Sequence, residues 1–177
     1  MAHIGIFFGT DTGRTRRIAK EIRKKLGDAA ADPVNVAKAT PEDLLSYRAL
    51  ILGTPTLGEG ELPGQNTGLA NDSWAEFLPK LAGLDFTGKI VALYGLGDQE
   101  KYADDFVSAL RPLHEQFKVA GATLVGHWPT TGYTFKASAA VTGGAFLGLA
   151  LDQINQPALS ENRLDAWLAQ ILPRLSA

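Results

Sequence analysis

Apolar runs alternate with amphipathic stretches along the chain. Ile4–Phe8 is short, rich in β-formers and ends at Gly9, which predicts a buried strand. Ile18, Ile22 and Leu26 then recur at i, i+4 and i+8, one face of a helix that stops near Gly27. Pro33–Val36 is a weak second strand, and Thr40 before Pro41 predicts a short capped helix over Pro41–Leu45. Ala49–Leu52 is a third strand, ending in Gly53-Thr54-Pro55. Ser73, with Glu76 three residues on, has the capping-box pattern of a helix start. Ile90–Leu96 is a fourth strand, ending in Gly97-Asp98. Phe106, Leu110, Leu113, Phe117 and Ala120 predict a helix with Pro112 inside it, at the cost of a hydrogen bond or a kink. Thr123–Trp128 is a fifth strand. A Gly-, Ala- and Thr-rich stretch follows from Pro129 to Gly144, then a second apolar run, Phe146–Leu151. Ser160 caps a last helix with Leu164, Trp167, Leu168 and Ile171 on one face.

Strand and helix in alternation imply an α/β fold, a parallel sheet covered on both faces. Right-handed crossovers leave few topologies. The doubly wound, five-stranded order 2-1-3-4-5 is expected, with ligands at the carboxyl ends of the strands. There is no internal repeat or linker, so residues 1–177 read as one domain.

Composition narrows the chemistry. Apolar residues make up 45% and charged residues 20% of the 177, ordinary values for a globular protein. The chain has no Cys, which excludes disulfides and Cys-ligated zinc or iron–sulfur clusters. His3, His114 and His127 show no metal-ligand spacing and read as surface or packing residues. Redox chemistry here would need an organic cofactor. No apolar run approaches a membrane span, and Ile4–Phe8 lacks the flanks of a signal peptide, so the cytoplasm is the expected location. Net charge is −2 but uneven: Arg14–Lys25 carries seven Lys/Arg against one Glu, whereas Glu59–Asp105 carries nine Asp/Glu against three Lys. Such runs are either solvated faces or surfaces that steer a partner.

The most informative segment follows the first strand: Gly9-Thr10-Asp11-Thr12-Gly13-Arg14-Thr15 runs straight into the first helix. Hydroxyls at Thr10, Thr12 and Thr15, with the free N–H groups and positive dipole end of a helix N-terminus, suit a phosphate monoester. The spacing matches neither a Walker loop nor Gly-x-Gly-x-x-Gly. Asp11 is awkward beside a dianion, so its side chain is expected to point away.

Ile4–Phe8 followed by GTDTGRT resembles the FMN-phosphate loop of flavodoxins. Thr54-Pro55-Thr56-Leu57-Gly58-Glu59-Gly60-Glu61 is similar to that family's loop on one face of the flavin ring. Gly95-Leu96-Gly97-Asp98-Gln99, with Tyr102 downstream, is similar to the loop on the other face. Trp128–Tyr133 and Gly148–Asp152 resemble the two halves of a last strand split by the insertion of long-chain flavodoxins, here about 129–145. TPTLGEGELPG and the basic first helix are most similar to flavodoxins that serve nitrogenase.

The resemblance implies an FMN site made of Thr10, Asp11, Thr12, Gly13, Arg14, Thr15, Pro55, Thr56, Leu57, Gly58, Leu96, Gly97, Asp98, Gln99 and Tyr102. A flat isoalloxazine wants a face-on partner, for which Tyr102 is the candidate. Leu57 stands where many members place Trp. The Gly58–Glu59 peptide is implied to flip and offer its carbonyl to flavin N(5)–H, which a Gly tolerates cheaply. Asp98 is expected at the pyrimidine edge, where N(3)–H needs an acceptor. Trp167 reads as core; Trp74 and Trp128 read as core or cofactor-adjacent.

Glu59, Glu61, Asp72, Asp98, Glu100, Asp104 and Asp105 are expected around the ring mouth, with no nearby Lys or Arg. They would destabilise the anionic, fully reduced flavin, and each ~1.4 kcal/mol of that lowers a one-electron potential by about 59 mV. The implied function is a low-potential one-electron carrier working the semiquinone/hydroquinone couple, not an enzyme. Its acceptor would be the nitrogenase iron protein and its electron source a pyruvate oxidoreductase or ferredoxin reductase. It is expected to be a monomer, with no nucleic-acid or membrane partner. A general donor to other reductases, a flavin-dependent quinone reductase and a non-redox FMN module remain open.

Overall fold

The computed structural model describes residues 2–10 and 12–177. A parallel sheet runs in the order β2-β1-β3-β4-β5, and β9 also pairs with β4. The strands are β1 (Ile4–Phe8), β2 (Val34–Asn35), β3 (Ala49–Pro55), β4 (Ile90–Leu96), β5 (Thr123–Val125) and β9 (Leu149–Leu151). The order is the expected one.

Alternation along the strands sends side chains to two separate cores. Ile4, Ile6 and Phe8 of β1, with Ala49 and Ile51 of β3, pack on one face. That face is covered by Ile18 and Ile22 of α1 (Arg14–Leu26) and by Leu164, Trp167, Leu168 and Ile171 of α5 (Ser160–Leu175). Phe7, Leu50, Leu52, Val91 and Leu93 pack on the other. There they meet Leu44 of α2 (Pro41–Leu45), Trp74 and Phe77 of α3 (Trp74–Phe77), and Leu110, Leu113 and Phe117 of α4 (Leu110–Val119). Trp167 is core as expected, and its indole donates to the Gly126 carbonyl at 2.9 Å.

Local signals behave as read in two helices. Thr40 and Asp43 close a reciprocal capping box on α2, and Gly27 follows α1 with φ 60°. Three readings need correction. Pro112 costs no helical hydrogen bond, because α4 starts at Leu110 and Pro112 falls in its first turn, where N–H groups have no intrahelical partner. Ser160 does not cap α5: it is the first helical residue, after a 3₁₀ turn over Pro157–Leu159, and its hydroxyl donates to Gln153 Oε1. The fifth strand is divided earlier than expected. β5 pairs with Ile90–Ala92 and β9 with Tyr94–Leu96, so the two halves of the edge strand are Thr123–Val125 and Leu149–Leu151. Gly126, at φ 86°, turns the chain out of the sheet, and Trp128 joins a separate antiparallel sheet. That sheet contains β6 (Trp128–Pro129), β7 (Val141–Thr142) and β8 (Ala145–Phe146), in the order β6-β8-β7. Among the described residues no helix is long and apolar enough to cross a membrane.

His114 on α4 is a packing residue with a consequence for stability. It is 6% exposed, and its Nδ1 has no hydrogen-bond partner among the described residues. Burial holds its pKa below the ordinary value; Glu115 opposes this, while His127, Lys118 and Arg111 add to it. A histidine free in the unfolded chain takes up its proton near pH ~6.5. The unfolded state therefore binds more protons as pH falls below that value, and stability drops until the lowered folded pKa is passed. His114→Phe should reduce the loss of urea midpoint measured between about pH 7 and pH 5 relative to the parent protein.

Candidate functional site

A cavity of about 410 Å³ opens at the carboxyl ends of β1, β3, β4 and β9. Four segments line it: Thr12, Arg14 and Thr15; Pro55, Thr56, Leu57 and Gly58; Leu96, Gly97, Asp98, Lys101 and Tyr102; and Gln153 with Ile154. The parallel sheet leaves its ligand crevice at this edge.

The first segment forms the anion end. The Gly13 N–H donates to Thr10 Oγ1 at 3.0 Å, which folds the loop back before α1 begins at Arg14. The first turn of α1 holds no acidic side chain, so its unpaired N–H groups and positive dipole end are uncompensated from within the helix. Thr15 is 1% exposed, and its carbonyl accepts from the Tyr94 phenol at 3.0 Å. Tyr94 reaches across β3 only because position 53 lacks a side chain: a Cβ on Gly53 would stand 2.0 Å from the Tyr94 ring. Burial pushes the Tyr94 phenol far above its usual pKa, so it remains a donor. Trp74 secures the same corner, its indole donating to the Gly53 carbonyl at 2.8 Å. It is fully buried and supports the loop from behind.

The second segment is a closed turn. Leu57 and Glu61 exchange backbone hydrogen bonds at 2.9 and 2.7 Å, with Gly58, Glu59 and Gly60 at the tip. Gly58 sits at φ 53°, already in the left-handed region. A β-carbon at position 58 therefore burdens this conformation as well as a turned one, so the cost falls on the loop itself.

The third segment carries the aromatic. Tyr102 is 47% exposed, a large ring held at the cavity without a core to fill. Lys101 Nζ lies 5.3 Å from the Tyr102 ring centroid. Asp98 lines the cavity, with Oδ1 accepting from the backbone N–H groups of Glu100 and Lys101.

Most of the predicted positions meet here, with exceptions. Asp11 lies outside the described residues. Thr10 and Gly13 shape the loop without lining the cavity. Gln99 is 1% exposed and turned inward, its amide bonded to Asp152 and Thr134, so it supports the loop from behind. The expectation of a mouth without basic residues is overturned: Arg14 and Lys101 both line the cavity. The sequence reading also missed Gln153 and Ile154. They follow β9, and the rule that places ligands beyond strand carboxyl ends would have found them. Trp128 bonds to Tyr133 at 3.0 Å within the insertion.

A doubly wound parallel sheet in the order 2-1-3-4-5, with a crevice at the carboxyl ends of its strands, places the chain among the flavodoxin-like α/β folds. Comparison with known proteins makes the assignment specific. The flavodoxin family model matches residues 6–167. The chain is 53% identical over 171 residues to a flavodoxin of Klebsiella pneumoniae, covering 97% of each chain. It is 47% identical to flavodoxin 1 of Escherichia coli strain K12, over 99% of this chain and 96% of that one. It superposes on the Fusobacterium nucleatum flavodoxin bound to flavin mononucleotide with a TM-score of 0.88, at 34% identity, covering 98% and 99% of the two chains. The chain belongs to the flavodoxin family, whose members are electron-transfer proteins and not enzymes.

Gly58→Ala should destabilise the protein by roughly 1 kcal/mol, the cost of a left-handed backbone for a residue with a β-carbon. Glu61 Oε1 would lie 2.7 Å from that carbon, but it is the end of a flexible side chain and can move. Urea denaturation of the flavin-free protein measures the difference; an unchanged midpoint would show that the turn relaxes without cost.

Proposed function

We propose that the whole chain, 1–177, works as one FMN-binding domain that carries single electrons at low potential, in the cytoplasm, to the nitrogenase iron protein. One observation carries the FMN reading. A single cavity has a hydroxyl- and N–H-rich anion end at Thr12, Thr15 and the start of α1, and an exposed aromatic, Tyr102, at the other. A phosphate monoester joined to a flat aromatic ring system fits that pair of ends. When bound, FMN supplies reversible one-electron chemistry at low potential, which no side chain of this Cys-free chain offers.

The chain's own residues have distinct tasks in this reading. Thr10 and Gly13 fix the loop, and Thr12, Thr15 and the α1 N-terminus hold the phosphate. Tyr102 and Leu57 enclose the ring, and Pro55, Thr56, Leu96 and Gly97 form the walls. Gly58 offers its carbonyl to a proton at N(5), and Asp98 accepts at the pyrimidine edge. Asp98 disfavours added negative charge on the ring and Lys101 opposes it, while Arg14 lies at the phosphate end.

The partner rests on two features. One is the similarity of TPTLGEGELPG to nitrogenase-serving flavodoxins. The other is the charge of α1, where Arg14, Arg17, Lys20 and Lys24 make no ion pair among the described residues, unlike Arg23 with Asp32 and Lys25 with Asp165. A pyruvate oxidoreductase or ferredoxin reductase would supply the electrons.

Titration of the flavin-free protein tests the cofactor. Thr12→Val should weaken FMN by about tenfold to a hundredfold while leaving riboflavin nearly unchanged, because only FMN loses a charge-assisted hydrogen bond to phosphate. Equal losses for both flavins would place the phosphate elsewhere. Electron transfer to the nitrogenase iron protein should slow as ionic strength rises toward ~0.15 M, where exposed charges are screened beyond about 8 Å. A salt-independent second-order rate would replace charge steering with an apolar contact.

A further inference from the structure

Asp152 is the one carboxylate among the described residues that is fully buried, at 0% exposure, immediately after β9. It does not line the cavity, and no Lys or Arg pairs with it among the described residues. Its charge is met by hydrogen bonds alone. Oδ2 accepts from the Gln99 backbone N–H at 3.0 Å, from Gln99 Nε2 at 2.8 Å and from Asn155 Nδ2 at 2.8 Å. Oδ1 accepts from the backbone N–H groups of Ile154 at 3.0 Å and Asn155 at 2.8 Å. Burial would raise its pKa, but the bonds from Asn155 and Gln99 outweigh that and hold it below the ordinary carboxylate value.

The partners of Asp152 lead to the cavity by two routes. Asn155 Nδ2 also donates to Asp98 Oδ1, at 2.7 Å. Together with the N–H groups of Glu100 and Lys101, this saturates Oδ1 and leaves Oδ2 as the acceptor Asp98 can present. Gln99, clamped at both its N–H and its amide, uses its remaining Oε1 to accept from the Thr134 N–H at 2.6 Å, which ties the loop to the insertion. Gln99 and Asp98 stand at the root of the loop that carries Tyr102, and the Tyr102 N–H donates to the Asp98 carbonyl at 3.0 Å.

We infer that Asp152 is a positioning residue for the flavin ring, acting through Gln99 and Asn155 to fix the loop 97–102 and the direction of the Asp98 carboxylate. This rests on the FMN reading of the cavity. All five groups that Asp152 binds are donors, so an amide in its place would turn an N–H₂ toward other donors. Asp152→Asn therefore breaks the clamp at nearly constant volume. Asn155→Ala, at a partly exposed position, cuts only the link to Asp98 and one bond to Asp152.

The test is titration of the flavin-free parent protein and both variants with FMN and, separately, riboflavin, with visible circular dichroism of each bound flavin. Both variants should lose about threefold to tenfold in affinity. The factor should be the same for the two flavins, because the ring end is disturbed and the phosphate end is not. The dichroism of the bound ring should change, and the melting temperature of flavin-free Asn155→Ala should not. If Asp152→Asn does not fold, Asn155→Ala decides alone. Unchanged riboflavin affinity and dichroism in Asn155→Ala would overturn the inference, as would a loss confined to FMN. A parent protein that binds neither flavin would instead overturn the FMN reading and this inference with it.

Discussion

The site depends on the parallel ladder between β3 and β4, which holds register over seven residues, from Ala49 opposite Ile90 to Pro55 opposite Leu96. The ladder ends the two strands together, so the loops beginning at Thr56 and Gly97 leave the sheet side by side and face one another across the cavity. A slip of one residue would send Leu50, Leu52, Val91 and Leu93 to the wrong core and carry one loop out of line with the other. Burial on both faces of the sheet therefore sets the geometry of the site at its edge. Tyr94 and Trp74 extend the same constraint to the loop before α1: Trp74 bonds to the Gly53 carbonyl, and Tyr94 passes Gly53 to reach the Thr15 carbonyl in the first turn of α1.

The order of the sheet was legible because parallel strands buried on both faces read as short apolar runs, and the helices between them read by their spacing. The loop between β1 and α1 is legible because it is continuous in sequence: strand end, hydroxyls, glycine and helix start fall between Phe8 and Arg14. What stayed hidden depends on contacts between distant segments. Gln99 lies in a loop that faces a ligand, and nothing local tells that its amide turns inward to Asp152, 53 residues away. The apolar spacing over Phe106–Ala120 exceeds the helix, Leu110–Val119, because Phe106 keeps that spacing while packing from a turn. Trp128 was assigned to the fifth strand because it continues an apolar run, but Gly126 bends the backbone away first.

Charge at the cavity is less one-sided than the acidic run suggested. Counting Asp and Glu over Glu59–Asp105 weights residues by sequence, whereas a ring responds to those within a few ångströms. At the cavity wall Asp98 is accompanied by Lys101, and Arg14 lines the other end, at the start of α1. Lys101 is exposed and its ammonium lies over the Tyr102 ring, so solvent and salt screen its charge. Burial gives Asp152 the opposite property. Its charge is screened by salt far less, and five donors hold its orientation.

This difference gives the divided edge strand a physical purpose. Had β5 run unbroken along β4, one ladder would have filled the edge and its end would have delivered one loop. Instead β5 stops opposite Ala92, the chain leaves to form the small β6-β8-β7 sheet, and β9 returns to pair with Tyr94–Leu96. The return places Asp152, Gln153 and Ile154 at the same edge as Asp98. It also brings Thr134 against Gln99 and leaves Tyr133 bonded to the Ala150 carbonyl at 2.6 Å, with Arg163 4.0 Å from its ring centroid. The insertion is thus anchored to β9, to α5 and to the loop that carries Tyr102. A change in its packing would reach the loop 97–102 through Gln99 before it altered the sheet, because the sheet is held by two cores and the loop by a handful of hydrogen bonds.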